Sequence, residues 1–185
     1  MERTLRARLR AGDSAAFSEL FDEHASAIYR HAARLTGDRT VAEDAVSLTF
    51  LEAWRLRKRL KPEEGSVLPW LFGLATNVIR NQARTARRHK AAMSRLPTRD
   101  LIPDFSDELI ARFEDAERVA AARTALETLS DTDREIVMLC VWAGLDYAAA
   151  AEALGIPVGT VRSRLSRAKV RLRELTATMM QRENR

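Results

Sequence analysis

The chain has 185 residues, a formal net charge of +5 at neutral pH and a hydrophobic content of 46%, which is ordinary for a globular protein with a core. Its single cysteine, Cys140, excludes an internal disulfide and is typical of a reducing compartment. No apolar run approaches the ~20 residues of a membrane span, and the N-terminus has no apolar signal segment. The chain is therefore expected in the cytoplasm, with no membrane insertion.

The composition favours helices throughout. Only seven glycines and five prolines are present, and no window shows the alternation that strands require. In chain order we predict a helix over "SAAFSELFDEHASAIYRHAARL", capped by Asp13 or Ser14, and a second over "TVAEDAVSLTFLEAWRL". A loop, "KPEEGSVLP", and a long helix from about Trp70 to Lys90 follow. The fold class is predicted as all-α.

The charges divide the chain into blocks. No acid occurs between Gly65 and Arg99, whereas between Asp100 and Glu117 the acids outnumber the one base, Arg112. We predict two small helical domains, 1–91 and 118–185, joined by an acidic linker over 92–117.

The C-terminal helix "GTVRSRLSRAKVRLREL" is strongly basic. On a helical wheel Val161, Leu165, Ala168 and Leu172 share one stripe, which predicts that this face docks on the domain. The opposite side carries Arg162, Ser163, Ser166 and Arg167. The short helix "DYAAAAEALG" and the connection "IPV" precede it, and that order is typical of a helix-turn-helix whose second helix reads DNA.

A second basic face is predicted on "WLFGLATNVIRNQARTARRHK". Leu71, Leu74, Ala75, Val78, Ile79 and Ala86 form its apolar side. Arginines and amides with an aromatic edge fit single-stranded or partly opened DNA, although a solvated charged face is an equal alternative. The residues predicted on this face are Trp70, Thr76, Asn77, Arg80, Asn81, Arg84, Arg87 and Arg88.

These motifs together resemble bacterial sigma factors of the sigma-70 family, in the two-domain extracytoplasmic function (ECF) group. "AEDAVSLTFLEAW" is similar to the helix that binds the clamp helices of the polymerase β′ subunit. "WLFGLATN" with its arginines is similar to the part of region 2 that melts and reads the −10 element. "LGIPVGTVRSRLSRA" is similar to the region 4 helix-turn-helix that reads the −35 element.

The resemblance implies a transcription initiation factor that acts with core RNA polymerase on double-stranded and single-stranded promoter DNA. It further implies contact with the β flap, restraint by an anti-sigma factor, and a monomer when free. The implied −10 contacts are those of the second basic face, with Asn77 near the flipped base. The implied −35 contacts are Thr160, Arg162, Ser163, Arg164, Ser166, Arg167, Lys169 and Arg171, and the polymerase contacts are Asp44, Ser47, Leu48 and Leu51.

Some positions depart from the family pattern. Ser47 and Leu48 stand where a glutamine and an acid are usual, and Ala149 replaces a glutamate. The loop from Arg57 to Leu68 has no aromatic residue, so the resemblance implies no particular preference for the flipped −10 base.

A helix-turn-helix regulator and an enzyme are the alternative classes of function. A helix-turn-helix regulator would bind duplex DNA alone, as a dimer on a palindrome. An enzyme would need a constellation that the chain lacks: His24, His31 and His89 have no neighbouring metal-ligand pattern, and no nucleophile–base pair or phosphate-binding glycine loop is evident. We therefore predict no enzyme activity, no cofactor and no metal.

Overall fold

The computed structural model describes residues 4–61, 65–93, 124–126 and 128–183. The chain forms two compact units, which correspond to the N-terminal and the C-terminal helices. Every regular element among the described residues is helical, so the predicted all-α class is confirmed. The predicted linker over 92–117 lies outside the described residues, except for its first two positions, which continue the long helix.

Four helices and a short 3-10 turn build the first unit. Side-chain caps begin two of the helices. Asp13, one of the two predicted caps, accepts hydrogen bonds from the N–H groups of Ala15 and Ala16, and Asp38, which we did not predict as a cap, accepts one from Val41. The helices are α1 (Leu5–Ala11), α2 (Ser14–Thr36), α3 (Arg39–Leu56) and α4 (Leu68–Met93), and the 3-10 turn Arg57–Arg59 follows α3. The chain therefore runs from α3 to α4 through a connection that we call the α3–α4 connection, residues 57–67.

The core of the first unit lies where α2, α3 and α4 meet. Ala32, Ala42 and Ala45 are fully buried there, and Val78 and Ile79 pack against them. Alanines at the contact allow the helix axes to approach closely, and the larger side chains of α4 then fill the remaining space.

An aromatic cluster joins α2 to α3 at the other end of the unit. The ring of Phe17 lies 5.2 Å from that of Trp54 and 6.3 Å from that of Phe50, both edge to face, and Phe21 lies 4.8 Å from Phe50. Phe50 and Trp54 therefore belong to the packing of this unit and leave the outer face of α3 to smaller residues.

A polar pair is buried within the same unit. The Nε2 atom of His31 on α2 lies 3.2 Å from the hydroxyl of Thr76 on α4, and the ring of Phe72 contacts the imidazole edge to face. Burial, together with a smaller effect of the nearby charge of Arg34, lowers the pKa of His31 to about 4. His31 is therefore neutral at physiological pH.

The C-terminal part of the chain contains three described helices of at least seven residues. They are α5 (Asp131–Val137), which continues into a π-helical turn (Met138–Trp142), α6 (Tyr147–Leu154) and α7 (Val158–Glu183). Ser130 caps α5 by accepting the N–H of Asp133. α5 packs against α7, and its Ile136 is buried together with Val161 and Leu165 of α7.

A tight turn separates α6 from α7, as predicted. Gly155 has a φ of +65°, a left-handed conformation that glycine adopts without strain. The N–H of Ile156 then donates to the carbonyl of Ala151 (3.1 Å), which closes the helix end, and the carbonyl of Pro157 accepts from Thr160 and Val161. The geometry confirms a helix, a glycine turn and a longer second helix.

Candidate nucleic-acid and polymerase interfaces

The outward face of α7 lies where the helical wheel placed it. Val161, Leu165 and Ala168 are buried, and the opposite side of the helix is open to solvent. The exposed residues there are Arg162, Ser163, Ser166, Arg167, Lys169 and Arg171. Over residues 158–175, where the burial of α7 is described, the buried side chains form one narrow stripe, so most of the circumference presents polar groups to solvent.

Local contacts orient two of these arginines. The Nε atom of Arg167 donates to the carbonyl of Ser163 (3.4 Å), one turn earlier. The guanidinium of Arg162 lies 5.9 Å from the ring centroid of Tyr147 at the start of α6, within the range of a cation–π contact. Sequence reasoning missed Tyr147, because nothing in its own helix indicates which residue of α7 it faces.

Arg164 differs from Arg162 and Arg167 of the same helix. Its Nη1 atom lies 3.2 Å from a carboxylate oxygen of Asp133 on α5, and both side chains are only partly exposed. This ion pair ties α7 to α5. Thr160 is likewise half-buried, and its carbonyl accepts from the Ser163 hydroxyl. These two residues therefore contribute to the support of the helix as well as to its predicted DNA-facing surface.

The exposure of the basic face of α4 changes along the helix. Asn77 is exposed near the middle of the helix, whereas Arg80 and Trp70 are half-buried. Beyond that point the helix leaves the core, and each residue from Arg84 to His89 is exposed. Ala86, which we predicted on the apolar side, is therefore exposed because the helix has no packing partner at this position among the described residues. Three arginines, Arg84, Arg87 and Arg88, lie in this projecting part.

The expected position of Thr76 is wrong. We predicted it on the basic face, but its side chain is 1% exposed and hydrogen-bonded to His31. The physical reason is that α4 packs against both α2 and α3. A helix with two neighbours buries a wider arc than the apolar stripe alone indicates, and Thr76 falls inside that arc.

The outer face of α3 carries an exposed row of small and apolar residues. Leu51 is 65% exposed and Leu48 is 42% exposed, and Asp44 and Ser47 on the preceding turn are also exposed. Leucines this exposed at adjacent turns of one helix, flanked by an acid, are typical of a surface that another protein covers.

The remaining candidate chemistry is sparse. Cys140 lies half-buried in the π-helical turn, and burial raises the pKa of its thiol, so the reactive thiolate is disfavoured. Within the described part of the chain, no three His, Cys, Asp or Glu side chains are grouped to hold a metal ion. No helix of that part is long and apolar enough to cross a membrane.

Both basic faces and the outer face of α3 lie within ranges that match known protein families. Residues 20–89 match the family described as sigma-70 region 2, and residues 120–172 match sigma-70, region 4. The chain is 34% identical over 172 residues to the ECF RNA polymerase sigma factor SigL of Mycobacterium tuberculosis, with 91% of this chain and 95% of SigL covered. The chain belongs to the ECF sigma factors of the sigma-70 family.

Other members show the same relationship. The ECF sigma factor SigE of Mycolicibacterium smegmatis is 34% identical over 170 residues, which cover 90% of this chain and 65% of SigE. The chain thus spans about two thirds of that relative. Among solved structures, the sigma factor RpoE of Bartonella quintana in complex with the anti-sigma factor NepR is 26% identical, with a TM-score of 0.68 and coverage of 86% and 95% of the two chains.

The matched ranges identify the units. Region 2 contains α2, α3 and α4, with the α3 face and the basic face of α4, and region 4 contains α5, α6 and α7. Helix α1 lies before the region 2 match, although it packs against the same unit.

Proposed function

We propose that the protein is a transcription initiation factor that binds core RNA polymerase and directs it to promoters with defined −35 and −10 elements. One observation supports this most strongly. Two exposed basic helical faces, on α4 and on α7, occur in two separate helical units that match sigma-70 regions 2 and 4. Melting is driven by binding energy alone, so the proposed activity makes and breaks no covalent bond.

The α7 face fits a duplex major groove. Arginine donates two parallel hydrogen bonds to guanine, and the short hydroxyls of serine reach base edges without steric conflict. Arg162, Ser163, Ser166 and Arg167 would supply these contacts to the −35 element. The flanking cations Lys169 and Arg171, with Arg164 and Thr160 at the margin, would neutralise phosphates and set the register of the helix.

The α4 face fits an unpaired strand. Asn77 would hydrogen-bond a base of the −10 element, and Trp70 and Arg80 lie along the same helix. The projecting arginines Arg84, Arg87 and Arg88 would follow the backbone of the non-template strand, where charge and not base identity decides affinity.

The α3 face would bind the polymerase. Asp44, Ser47, Leu48 and Leu51 are proposed to contact the β′ clamp helices, and region 4 is proposed to reach the β flap. An anti-sigma partner that covers such surfaces is proposed by analogy with RpoE, whose solved complex contains the anti-sigma factor NepR. The free factor is proposed to be a monomer in the cytoplasm and to join the nucleoid when bound to polymerase.

Reconstitution tests the proposal. The purified chain is added to bacterial core polymerase on genomic DNA of its own source, and the 5′ ends of the transcripts are sequenced. We expect starts preceded by two shared elements at a fixed spacing. Absence of specific initiation, while the chain binds core polymerase, would contradict the proposal.

Footprinting of the free chain distinguishes the other candidate. A stand-alone helix-turn-helix regulator protects a palindromic duplex site without polymerase, whereas a sigma factor should protect promoter DNA only in the presence of the core enzyme. Protection by the free chain as a dimer would favour the regulator.

A further inference from the structure

Helix α1 holds the α3–α4 connection through two arginines that sequence reasoning did not single out. The described parts of the connection are residues 57–61 and 65–67. Arg6 and Arg10, one turn apart on α1, both point their guanidinium groups at its main chain. Neither position falls within the range that matches region 2.

Arg6 makes the larger set of contacts. Its Nε donates to the carbonyl of Gly65 (3.0 Å), its Nη1 to that of Lys61 (3.1 Å) and its Nη2 to that of Ser66 (2.6 Å). The residue is only 9% exposed. A buried guanidinium with three carbonyl acceptors fixes both ends of a loop at once, because its donors form a rigid planar fork.

Arg10 holds the earlier part of the connection. Its Nη1 donates to the carbonyl of Lys58 (2.8 Å) and also to that of Leu60. The side chains of Leu60 and Val67 are buried and anchor the connection from within. The carbonyls of residues 58, 60, 61, 65 and 66 are therefore all directed towards α1.

This arrangement leaves three of the four cations in the described parts of the connection outward, whereas Arg57 is half-buried against Trp54. Lys58, Arg59 and Lys61 are exposed, since the main chain beside them is bound to α1. The connection also leads directly into α4: the Ser66 hydroxyl accepts the N–H of Leu68 (3.2 Å), and the Val67 carbonyl accepts that of Leu71 (3.1 Å). Three exposed positive charges are thus held at the start of the helix that carries Asn77 and the projecting arginines.

We infer that Arg6 and Arg10 are positioning residues for the −10 strand. They hold the α3–α4 connection so that Lys58, Arg59 and Lys61 contact phosphates of the unpaired DNA beside α4. This inference rests on the proposed function and adds to it the two residues of α1 that order the connection beside α4.

Substitution of Arg6 and Arg10 by lysine tests this inference, because lysine keeps the positive charge but lacks the planar guanidinium that donates to several carbonyls at once. In the holoenzyme with fork-junction DNA carrying an unpaired −10 strand, Arg6→Lys with Arg10→Lys should weaken binding by roughly tenfold, about the worth of one charged hydrogen bond. The slope of log K against log salt should fall by about 2, since each lost single-strand phosphate contact contributes about 0.7. Affinity for core polymerase should stay within about twofold, a change small against the value of a single interaction.

Arg8→Lys is the matched control. Arg8 lies between the two on α1, but it pairs with Asp13 and Glu19 of the α2 segment and not with the connection. The triple variant Lys58→Ala, Arg59→Ala, Lys61→Ala should reproduce the loss and the change of slope. Adding Arg6→Lys and Arg10→Lys to it should cause no further loss, because both act through the same contact.

Each outcome decides between a positioning and a merely structural role. Three results for the Arg6→Lys, Arg10→Lys variant would overturn the inference. Its holoenzyme could bind the DNA as tightly as the Arg8→Lys holoenzyme, its salt slope could be unchanged, or its loss of binding could add to that of the triple variant. If thermal unfolding shows that the Arg6 variant is poorly folded, the half-buried Arg10→Lys alone must show the same non-additive loss. Failure of the unmodified holoenzyme to bind the DNA would instead overturn the proposed function.

Discussion

The two basic helices, α4 and α7, differ in how much of each the rest of its unit covers. α7 buries one stripe against α5, and its polar residues lie outward on most of the circumference. α4 lies against both α2 and α3, buries a wide arc in its first turns, and carries its arginines mostly in the projecting part. Among the described residues, the packing of each helix against its neighbours, more than its own sequence, decides which of its polar residues are exposed.

The strongest test of this comparison removes the outward arginines of α7. Arg162→Ala with Arg167→Ala should abolish −35-dependent transcription, since a bidentate arginine–guanine contact is worth about 1–3 kcal/mol. Core binding should remain, because it is assigned mainly to region 2. In vitro transcription and a core-binding titration measure the two effects. Arg134→Ala, which removes a partly exposed cation of α5, is the control, and an equal loss in that variant would contradict the assignment to α7.

Acidification should lower the stability of the first unit, in which His31 packs against α4. The pKa of His31 is lowered to about 4 by burial, below the ordinary value of about 6.5. The unfolded chain therefore binds a proton that the folded chain does not, and stability present above pH 6.5 is lost as the pH falls towards 4. Between pH 7 and pH 5 the loss should be about 2 kcal/mol.

Urea unfolding of a Trp142→Phe variant measures this effect, because its fluorescence reports the tryptophans of the first unit, Trp54 and Trp70. His31→Gln in that background should reduce the pH dependence by the same amount. An undiminished dependence would mean that carboxylates and not His31 are responsible.

Two adjacent residues of α4 should separate stability from recognition. Thr76→Val leaves His31 without its hydroxyl partner and should destabilise the first unit by about 1–3 kcal/mol, with little effect on promoter opening. Asn77→Ala should reduce promoter opening by roughly tenfold, as expected for a lost amide–base contact, with little effect on stability. Permanganate footprinting and thermal unfolding report the two properties. If Thr76→Val impairs promoter opening while the protein stays stable, the prediction that Thr76 contacts DNA would be supported after all.

The smallest expected effect concerns Arg164. Its ion pair with Asp133 is partly exposed, so a double-mutant cycle with Arg164→Ala and Asp133→Asn should give a coupling energy below about 1 kcal/mol. Arg164→Ala should also weaken −35 binding less than Arg162→Ala, because part of its charge is already paired. If Arg164→Ala weakened −35 binding more than Arg162→Ala, Arg164 would be a DNA-contacting residue like Arg162. The distinction between supporting and DNA-contacting arginines on α7 would then be wrong.

The sequence was sufficient for the described part of α7 because its buried residues follow one narrow stripe with a helical period. Val161, Leu165 and Ala168 were predicted inward and Arg162, Ser163, Ser166 and Arg167 outward, and the structure confirms those orientations. The motifs of regions 2 and 4 also predicted the family correctly, since they depend on local order along the chain. The assignment of each residue to a promoter element or to the polymerase remains a prediction.

By itself, then, the sequence determined the helical class, the family and the two faces of a helix that packs on one side. Only the tertiary structure decided that Thr76 is buried against His31, that Arg164 is tied to Asp133, and that Arg6 contacts Gly65 across 59 residues of sequence. Each of these depends on a partner distant in the chain. A helical period specifies which way a side chain points, but the partner that it meets is decided by how the helices pack.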